Sequence, residues 1–322
     1  MTAFADGLMA FLYASMLAGV PLLFGTLGEI LTEKSGNLNL GVEGMMYMGA
    51  VLGFMGGYYF ASPLLALVFA FLGGALGALI YAFLTVTLRA NQNVTGLTLT
   101  IFGTGLANFL GGNMINASST GAAVVADQVK TAFRPLQMGA LTNIPYIGKL
   151  IFNHSIFTYL AVALALLAGW YLHHTRMGLN VRAVGENPAA ADAAGVDVSL
   201  YKYAHTVVGG GICGLGGGYI ALVTCGGSWT YNAVAGQGWI ALALVIFASW
   251  SPYRAILGSL VFGALSVLRL YIPNSVISIP GAVFAMVPFV TTCIVLVVSS
   301  IRQRRENQQP RSCGVNYFRE ER

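Results

Sequence analysis

The sequence predicts an all-α, polytopic membrane protein with about nine transmembrane helices, some of them broken or re-entrant. Its 322 residues are 57% hydrophobic and only 8% charged, whereas soluble globular chains are about 25% charged. Apolar stretches of about 20 residues, each long enough to cross roughly 30 Å of hydrocarbon, recur from Leu8 almost to Ile301. The chain also contains 41 glycines, and small residues let helices approach closely in lipid, where no hydrophobic force drives them together.

The candidate spans follow one another at 8–31, 42–60, 64–88, 94–115, 156–172, 203–224, 239–250, 255–272 and 280–301. The seventh has too few apolar residues for a straight crossing. We therefore expect the glycine-rich chain at 226–238 to enter the membrane as non-helical or re-entrant backbone. Together the spans predict a transmembrane domain at 1–301, followed by a polar tail at 302–322.

The placement of lysine and arginine predicts the orientation in the membrane, because short loops rich in them stay cytoplasmic. Under this span count, one side collects Arg89, Arg176, Arg182, Lys202, Arg254 and the tail arginines from Arg302 onward. The longest connection, at 116–154, places three basic residues on the other side, where the rule is weaker. We therefore expect the N-terminus outside and the C-terminus inside, with the tail as a solvated extension. A contact between the tail arginines and anionic lipid is the alternative for the tail.

Two polar, glycine-containing insertions interrupt the apolar pattern, one in each half of the chain. The first covers 28–44 and the second covers 226–239. Broken helices near the middle of a membrane expose backbone donors and acceptors to a cavity, and interruptions in corresponding positions of two halves point to a solute site. An ordinary cytoplasmic loop is the alternative for the first insertion. Glu43 must be paired or neutral if it lies at membrane depth, and Lys34 is its nearest candidate partner.

Motifs for nucleotide binding and for catalysis are missing from the sequence. There is no GxxxxGK[ST] P-loop, so any ATP-driven step needs another subunit to bind the nucleotide. Residues 209–214 match GxGxxG, but they lie inside an apolar helix without a preceding strand. No HExxH or GxSxG motif occurs, and the four cysteines lack disulfide or metal-ligand spacing. We therefore expect no enzyme activity, no bound cofactor and no metal in this chain.

The glycine-rich stretch makes better sense as a surface for helix packing. Gly210, Gly214 and Gly218 are spaced by four residues and share one helix face. Another helix can approach such a face closely. We expect these three glycines to serve packing rather than ligand binding.

The segment at 176–202 keeps several charged residues together between apolar spans. Within it, Asn187 and Pro188 mark a helix break, and the alanine-rich run 189–194 has good helix propensity. Gly195 is positioned as a C-cap. A compact helix with almost no bulky side chains fits into a groove of a partner protein, while nearby charges fix its orientation. An ordinary solvated loop is the alternative.

Three stretches together resemble one known family over nearly the whole chain up to Ile301. They are SGNLNLGVEGM at 35–45, NQNVTGLTL at 91–99 and RAVGENPAAADAAGV at 182–196. These stretches are similar to the permease family of bacterial ABC importers for sugars, nucleosides and branched-chain amino acids. Within that family, the chain is most similar to the shorter permease of nucleoside and simple-sugar importers.

The resemblance implies a permease of the bacterial inner membrane that translocates a nucleoside or a simple sugar, with a branched-chain amino acid as the alternative substrate. It implies three partners: an ABC ATPase that uses the ATP, a second and longer permease in a heterodimer, and an extracytoplasmic solute-binding protein. A self-sufficient secondary transporter or channel is the alternative class. Such a protein would place ionisable residues within its spans for ion coupling, and the sequence has few there.

The resemblance also assigns ATPase coupling to the charged segment. The residues expected to take part are Arg182, Glu186, Asn187, Pro188, Ala189, Ala190, Asp192, Ala194 and Gly195. For the solute, neutral donors and acceptors suit a sugar hydroxyl or a nucleobase edge without burial of a charge. The residues expected along the substrate pathway are Asn37, Asn39, Asn91, Gln92, Asn93, Asn108 and Trp239. For each of these alone, a contact in helix packing is the alternative.

Overall fold

The computed structural model describes residues 2–136, 139, 142, 144, 147–271, 281–302 and 308–320. These residues form helices joined by turns and irregular segments. The single β-type pairing among them is an isolated bridge between Val124 and Ser228. The predicted all-α class is confirmed.

The described chain is built from α-helices, two of which continue into π-helical turns. The turns are Phe83–Thr87 after α3 and Ile220–Thr224 after α10, and such turns are frequent at functional sites. The α-helices are α1 (Thr2–Lys34), α2 (Val42–Phe60), α3 (Pro63–Ala82), α4 (Gln92–Ala117), α5 (Asp127–Ala132), α6 (Ile147–Phe152), α7 (Ile156–His174), α8 (Arg176–Glu186), α9 (Pro188–Ala193), α10 (Val198–Tyr219), α11 (Gln237–Phe247), α12 (Pro252–Tyr271) and α13 (Gly281–Arg302).

Six helices of the described chain are long and apolar enough to cross a membrane: α1, α3, α4, α7, α10 and α12. Helix α2, with 19 residues, and helix α13, with 22, are also of spanning length. Helix α11 has only 11 residues. At about 1.5 Å per residue it is roughly 16 Å long and crosses about half of the hydrocarbon. It is therefore the helical half of the short seventh span that the sequence predicts.

The helix bundle has two different ends. One end, which we name the coupling end, carries α8, α9 and the last turn of α1. The tail reaches this end, because the Ser312 amide donates to the Gly185 carbonyl over 3.0 Å. The first turns of α1 lie at the opposite end, where the Tyr13 hydroxyl donates to the Asn153 carbonyl over 2.9 Å. The chain therefore begins at the end of the bundle away from the tail.

Helix α10 forms the centre of the bundle and packs against α1, α2 and α3. A Cβ at Gly214 would lie 2.3 Å from the Ala70 carbonyl oxygen of α3, and a Cβ at Gly210 would lie 2.2 Å from the Ala78 side chain. A Cβ at Gly218 would lie 2.7 Å from the Ala70 side chain. All three glycines expected to serve packing therefore face α3, and any larger residue there would push the helices apart.

The first interruption, between α1 and α2, folds into the bundle. A Cβ at Gly96 of α4 would lie 2.7 Å from the Leu40 amide nitrogen of this connection. The Tyr81 hydroxyl of α3 donates to the Leu38 carbonyl over 2.6 Å. The connection is therefore part of the interior rather than an exposed loop.

The second interruption is non-helical from 225 to 236, and α11 begins at Gln237. Asn232 has a φ of 53° and Gly236 a φ of 86°, in the left-handed region that most residues avoid. Helix α11 then starts beside the first turn of α2, because a Cβ at Gly238 would lie 2.5 Å from the Glu43 Cα. The interrupted segments of the two halves therefore meet.

The tail departs from the solvated extension that the sequence predicts. Residues 303–307 lie outside the described chain, but residues 308–320 pack onto the coupling end. The buried Ser312 hydroxyl donates to the Gly185 carbonyl over 2.6 Å, and the Tyr317 ring packs against an apolar cluster of α8, α9 and α10. The physical reason is that this part of the tail carries aromatic rings, and burying a ring offsets the entropy lost on ordering the chain.

Candidate translocation site and coupling surface

Glu43 joins the two interrupted segments. Its side chain is 5% exposed, and its carboxylate accepts hydrogen bonds from the Gly236 amide at 2.7 Å and the Gly238 amide at 2.6 Å. These amides start α11, where backbone donors lack partners within the helix and the helix dipole favours a negative charge. The carboxylate is thus satisfied by backbone donors. The expected pairing with Lys34 is not formed in the described chain, because Lys34 lies at the coupling end and interacts with Glu186.

Asn108 ties α4 to the second interrupted segment. Its side-chain nitrogen donates to the Asn232 side-chain oxygen over 2.9 Å, and the Asn232 amide donates back to the Asn108 oxygen over 3.3 Å. From α2, the Tyr47 hydroxyl accepts a hydrogen bond from the Ala235 amide over 3.3 Å. Helices α2, α4 and α11 therefore converge around this segment. We name the convergence, centred on Glu43, the central site.

Two buried polar atoms in or beside the second interrupted segment have no hydrogen-bond partner among the described residues, the Gln237 Oε1 and the Trp229 Nε1. Gln237 lies directly between the two residues whose amides bind Glu43. A Cβ at Gly236 would meet nothing within 4 Å, so there is open space beside it. Unpartnered buried polar atoms mark places that accommodate a ligand or water. From the sequence, Trp229 is a candidate for stacking against a base or sugar, with an interface anchor as the alternative, whereas Gln237 was missed although its position inside the second interruption was an available signal.

Helix α4 has one buried face and one open face. Leu99, Gly103 and Ala107 lie four residues apart and are buried on the face that packs against α2. The opposite side is open and largely apolar, with Val94, Ile101 and Phe109 exposed. Asn93 and Asn113 are also exposed, near the two ends of the helix. The open face of α4 is therefore available to lipid or to another protein.

Asn37 and Asn39 are buried in the break between α1 and α2, and each is 1% exposed. The Asn37 side-chain nitrogen donates to the Thr206 hydroxyl over 2.8 Å. The Asn39 amide and side-chain nitrogen donate to the Glu29 carboxylate over 3.1 and 3.2 Å. In this conformation both side chains hold the break in place. The Asn39 Oδ1 accepts a hydrogen bond from the Gly41 amide, whereas the Asn37 Oδ1 has no hydrogen-bond partner among the described residues.

Asn91, Gln92 and Asn93 lie where α4 begins. Asn91 caps α4 by accepting from the amide three residues later over 3.1 Å. The Gln92 side chain is buried and accepts from the Leu38 amide over 2.7 Å, whereas Asn93 is exposed. These residues therefore lie near the first break rather than in the central site. The predicted pathway residues at or beside the central site are Asn108 and Trp239.

Helix α9 has the local features of a short, stable helix in the predicted coupling segment. The Asn187 side chain caps it by accepting from the Ala190 amide over 3.0 Å, and Pro188 occupies the first turn. Gly195 follows the helix with a φ of 83°, the left-handed conformation that commonly ends a helix. These caps fix both ends of α9 without help from a partner.

The two faces of α9 differ in burial. Ala191 is 4% exposed and packs in a cluster with Val184 and Val198. Ala190 and Ala194 are exposed. The outer face at these positions therefore presents methyl groups, which lets the backbone of a partner approach closely.

The tail completes the coupling segment from the side. The Tyr317 hydroxyl donates to the Asp192 Oδ2 over 2.8 Å, and the Arg319 Nε lies 3.2 Å from the same oxygen. The Arg89 guanidinium lies 4.6 Å from the centre of the Phe318 ring, a cation–π contact. The sequence prediction missed these tail residues, although two adjacent aromatic residues in a polar tail were a signal for burial.

Arg182 and Glu186 connect α8 to the end of α1. Both interact electrostatically with Lys34. Glu186 is exposed, and the Arg182 Nε is buried without a hydrogen-bond partner among the described residues. The coupling segment is therefore linked to the helix whose break forms one of the two interruptions.

This chain is similar to transport permeases along nearly its whole length. A family profile described as "Branched-chain amino acid transport system / permease component" matches residues 11–296. The nucleoside ABC transporter permease protein NupC of Lactococcus lactis is 35% identical over 314 residues, 94% of this chain and 95% of that protein. The guanosine ABC transporter permease protein NupQ of Bacillus subtilis is 32% identical over 316 residues, 95% of each chain. TsgC13 of Haloferax volcanii, provisionally named a glucose ABC transporter permease protein, is 36% identical over 267 residues, 83% of this chain and 78% of that protein.

Proposed function

This chain belongs to the branched-chain amino acid transport system permease family, and on that premise we propose that it is the membrane-spanning subunit of an ATP-driven importer for a nucleoside. As a permease it carries out transport rather than catalysis. NupC and NupQ, named for nucleoside transport, match this chain over 94% and 95% of its length, whereas the provisional glucose permease matches 83%. A simple sugar is therefore the second candidate substrate.

The observation that carries the ATP-driven assignment is the outer face of α9. It combines the exposed small side chains of Ala190 and Ala194 with a capped, rigid backbone. A separate ATPase subunit binds this face and hydrolyses the ATP. Arg182 and Glu186 fix the orientation of the ATPase, since charges at the rim of an interface contribute more to orientation than to affinity.

The coupling end faces the cytoplasm in this proposal, and the N-terminus lies outside. The support is charge: Arg89, Arg176, Arg182 and Arg319 all belong to segments at that end, as the positive-inside rule requires of short loops. The location is the bacterial inner membrane. An extracytoplasmic binding protein delivers the solute at the opposite end, and a second, longer permease covers the open face of α4.

The central site supplies the contacts for the solute. Gln237 and Asn108 carry neutral amide groups, and a nucleobase edge offers both donors and acceptors to such groups. Glu43 is occupied by the amides at the start of α11, so the site presents no free charge to a neutral solute. Binding of a neutral nucleoside then avoids the burial of an unpaired ion.

The docking assignment is tested by Ala190→Arg in the assembled transporter. We expect loss of ATPase co-purification and of nucleoside uptake, because a bulky charge overfills the groove that receives α9. Ala122→Arg is the matched control, since Ala122 is also exposed but lies in the connection at the opposite end. An intact complex with full uptake in the Ala190→Arg variant would refute the docking assignment.

The substrate is tested separately by uptake of labelled guanosine in cells that lack other nucleoside importers. We expect saturable uptake that excess unlabelled nucleoside abolishes and excess glucose leaves unchanged. No uptake of guanosine, with saturable uptake of labelled glucose instead, would replace the nucleoside by the sugar and would leave the docking of the ATPase unaffected.

A further inference from the structure

A cavity of about 550 Å³ lies at the coupling end, lined by none of the residues of the central site. Its walls are the π-helical turn after α3, the chain that links α9 to α10, the start of α10 and the tail. This volume falls within the range of small-molecule sites, about 300–1,000 Å³. The charged residues that line the cavity are Arg89, Asp192, Asp197, Lys202 and Arg319.

Both carboxylates in this cavity are already engaged by the protein. Asp192 accepts from the tail and lies 3.2 Å from the Arg319 Nε. Asp197 caps α10 by accepting from the Leu200 amide over 3.0 Å. Asp192 therefore has a cationic partner in the tail, and Asp197 serves as the cap of α10.

Lys202 is the exceptional residue of the cavity. It is 3% exposed, yet its ammonium forms no hydrogen bond or ion pair in the described part of the chain. Buried charges are normally paired, because removing a charge from water costs several kcal/mol. Arg89, an exposed residue on the same cavity, also lacks an ion pair among the described residues, and its guanidinium lies over the face of the Phe318 ring. Lys202 is therefore a buried cation without an anionic partner among the described residues, and Arg89 is a second cation that lines the same cavity from an exposed position.

We propose that this cavity binds the phosphate group of a small metabolite between Lys202 and Arg89. A lysine ammonium acts as a point charge, and an arginine guanidinium binds phosphate through two parallel hydrogen bonds. The Ser199 hydroxyl, which also lines the cavity at the start of α10, adds a neutral donor. That the ligand is cytoplasmic rests on the proposed orientation, whereas the binding itself does not.

The position of this cavity gives the ligand a regulatory role. A bound phosphate contacts the π-helical turn of α3 and the start of α10 at once, beside the residues that hold α9. It therefore fixes the coupling segment relative to the helix bundle without touching the central site. Such a ligand alters the coupling to the ATPase and leaves solute affinity unchanged.

The test uses the purified full chain in nanodiscs of phosphatidylcholine, titrated with inorganic phosphate and with adenosine 5′-monophosphate. We expect saturable thermal stabilisation of the wild type, with binding about tenfold weaker or more in Lys202→Met. Methionine keeps the apolar length of the side chain, and replacing a buried ion by an apolar residue is often neutral for stability. Arg176→Gln is the control, since Arg176 is an exposed cation of α8 that does not line the cavity.

A second arm distinguishes the source of the phosphate. In one outcome, soluble phosphates leave the thermal stability of the wild type unchanged, while nanodiscs containing phosphatidylglycerol raise it more than that of Lys202→Met. In that case a lipid headgroup supplies the phosphate. Equal stabilisation of the wild type and Lys202→Met, or no effect in either arm, overturns the proposal. If Lys202→Met does not fold, Arg89→Gln carries the same comparison, because the Arg89 side chain is exposed outside the bundle.

Discussion

The carboxylates of Glu43 and Asp192 are held in opposite ways. Glu43 binds two backbone amides at the start of α11, at 2.7 and 2.6 Å. Asp192 binds two side chains of the tail, the Tyr317 hydroxyl and the Arg319 guanidinium. Backbone amides of a helix have fixed positions, whereas tail side chains lose rotamer freedom each time they dock. The central site is therefore held by the helix backbone, while the coupling surface depends on side chains of the tail.

The largest expected effect comes from removing the acceptor in the central site. Glu43→Leu removes the acceptor of the buried Gly238 amide and of the half-buried Gly236 amide. An unsatisfied buried amide costs about 1–3 kcal/mol, so we expect at least that loss of stability together with loss of uptake. Thermal unfolding in detergent measures the loss of stability, and an assay of solute uptake measures the loss of transport. Glu43→Gln keeps a side-chain acceptor for one amide and should lose less. Unchanged unfolding of the Glu43→Leu variant would show that the two interruptions are not held together by this side chain.

A second prediction tests the rigidity of the helices that carry the central site. Gly214→Ala places a methyl group 2.3 Å from the Ala70 carbonyl oxygen, which is too close for a van der Waals contact. The clash pushes α10 and α3 apart, and we expect about 1–3 kcal/mol of destabilisation. Gly105→Ala is the control, because a Cβ there meets nothing within 4 Å. It should be neutral or stabilise α4 by up to about 1 kcal/mol. Equal effects of the two variants would contradict close packing of α10.

The third prediction tests how firmly the tail is docked on the coupling end. Burial, with the nearby Glu33 carboxylate, raises the pKa of the Cys313 thiol, so little reactive thiolate forms while the tail is docked. Tyr317→Phe removes one hydrogen bond to Asp192, and we expect several-fold faster maleimide labelling of Cys313, in line with about 0.5–1.5 kcal/mol for that bond. Site-resolved mass spectrometry measures the rate.

Arg311→Gln serves as the control for this labelling, since Arg311 is an exposed residue of the same tail. Its labelling rate should equal that of the wild type. If Tyr317→Phe also labels at the wild-type rate, the hydrogen bond to Asp192 does not hold the tail, and the coupling surface is as rigid as the central site.

The smallest expected effect concerns pH at the opposite end of the bundle. Burial lowers the pKa of His154, and a hydrogen bond to the Leu150 carbonyl offsets part of this decrease. The unfolded chain then binds a proton more readily than the folded one, so the stability is full above about pH 6.5 and falls as the pH drops below it. Thermal unfolding across this range should show a pH dependence that His154→Phe reduces. If His154→Phe shows the same pH dependence as the wild type, this histidine is not its source.

Much of the architecture follows from the sequence because its signals are local. The apolar spans depend on composition within about 20 residues, and the face shared by Gly210, Gly214 and Gly218 depends only on the helical repeat. The capped helix α9 likewise follows from Asn187 and Pro188, whose effects reach one turn. Even the two interruptions are visible as polar, glycine-containing insertions.

The tertiary structure alone decided which distant groups meet. Glu43 binds an amide 195 residues away, and Tyr317 binds a carboxylate 125 residues away. Nothing local to Glu43 distinguishes the amides of α11 from Lys34 as partners, and nothing local to Asn39 marks it as a donor to Glu29 rather than to a solute. The reason is that hydropathy and capping fix each helix separately, whereas a hydrogen bond between helices depends on how the whole bundle packs, and many packings satisfy the same local signals.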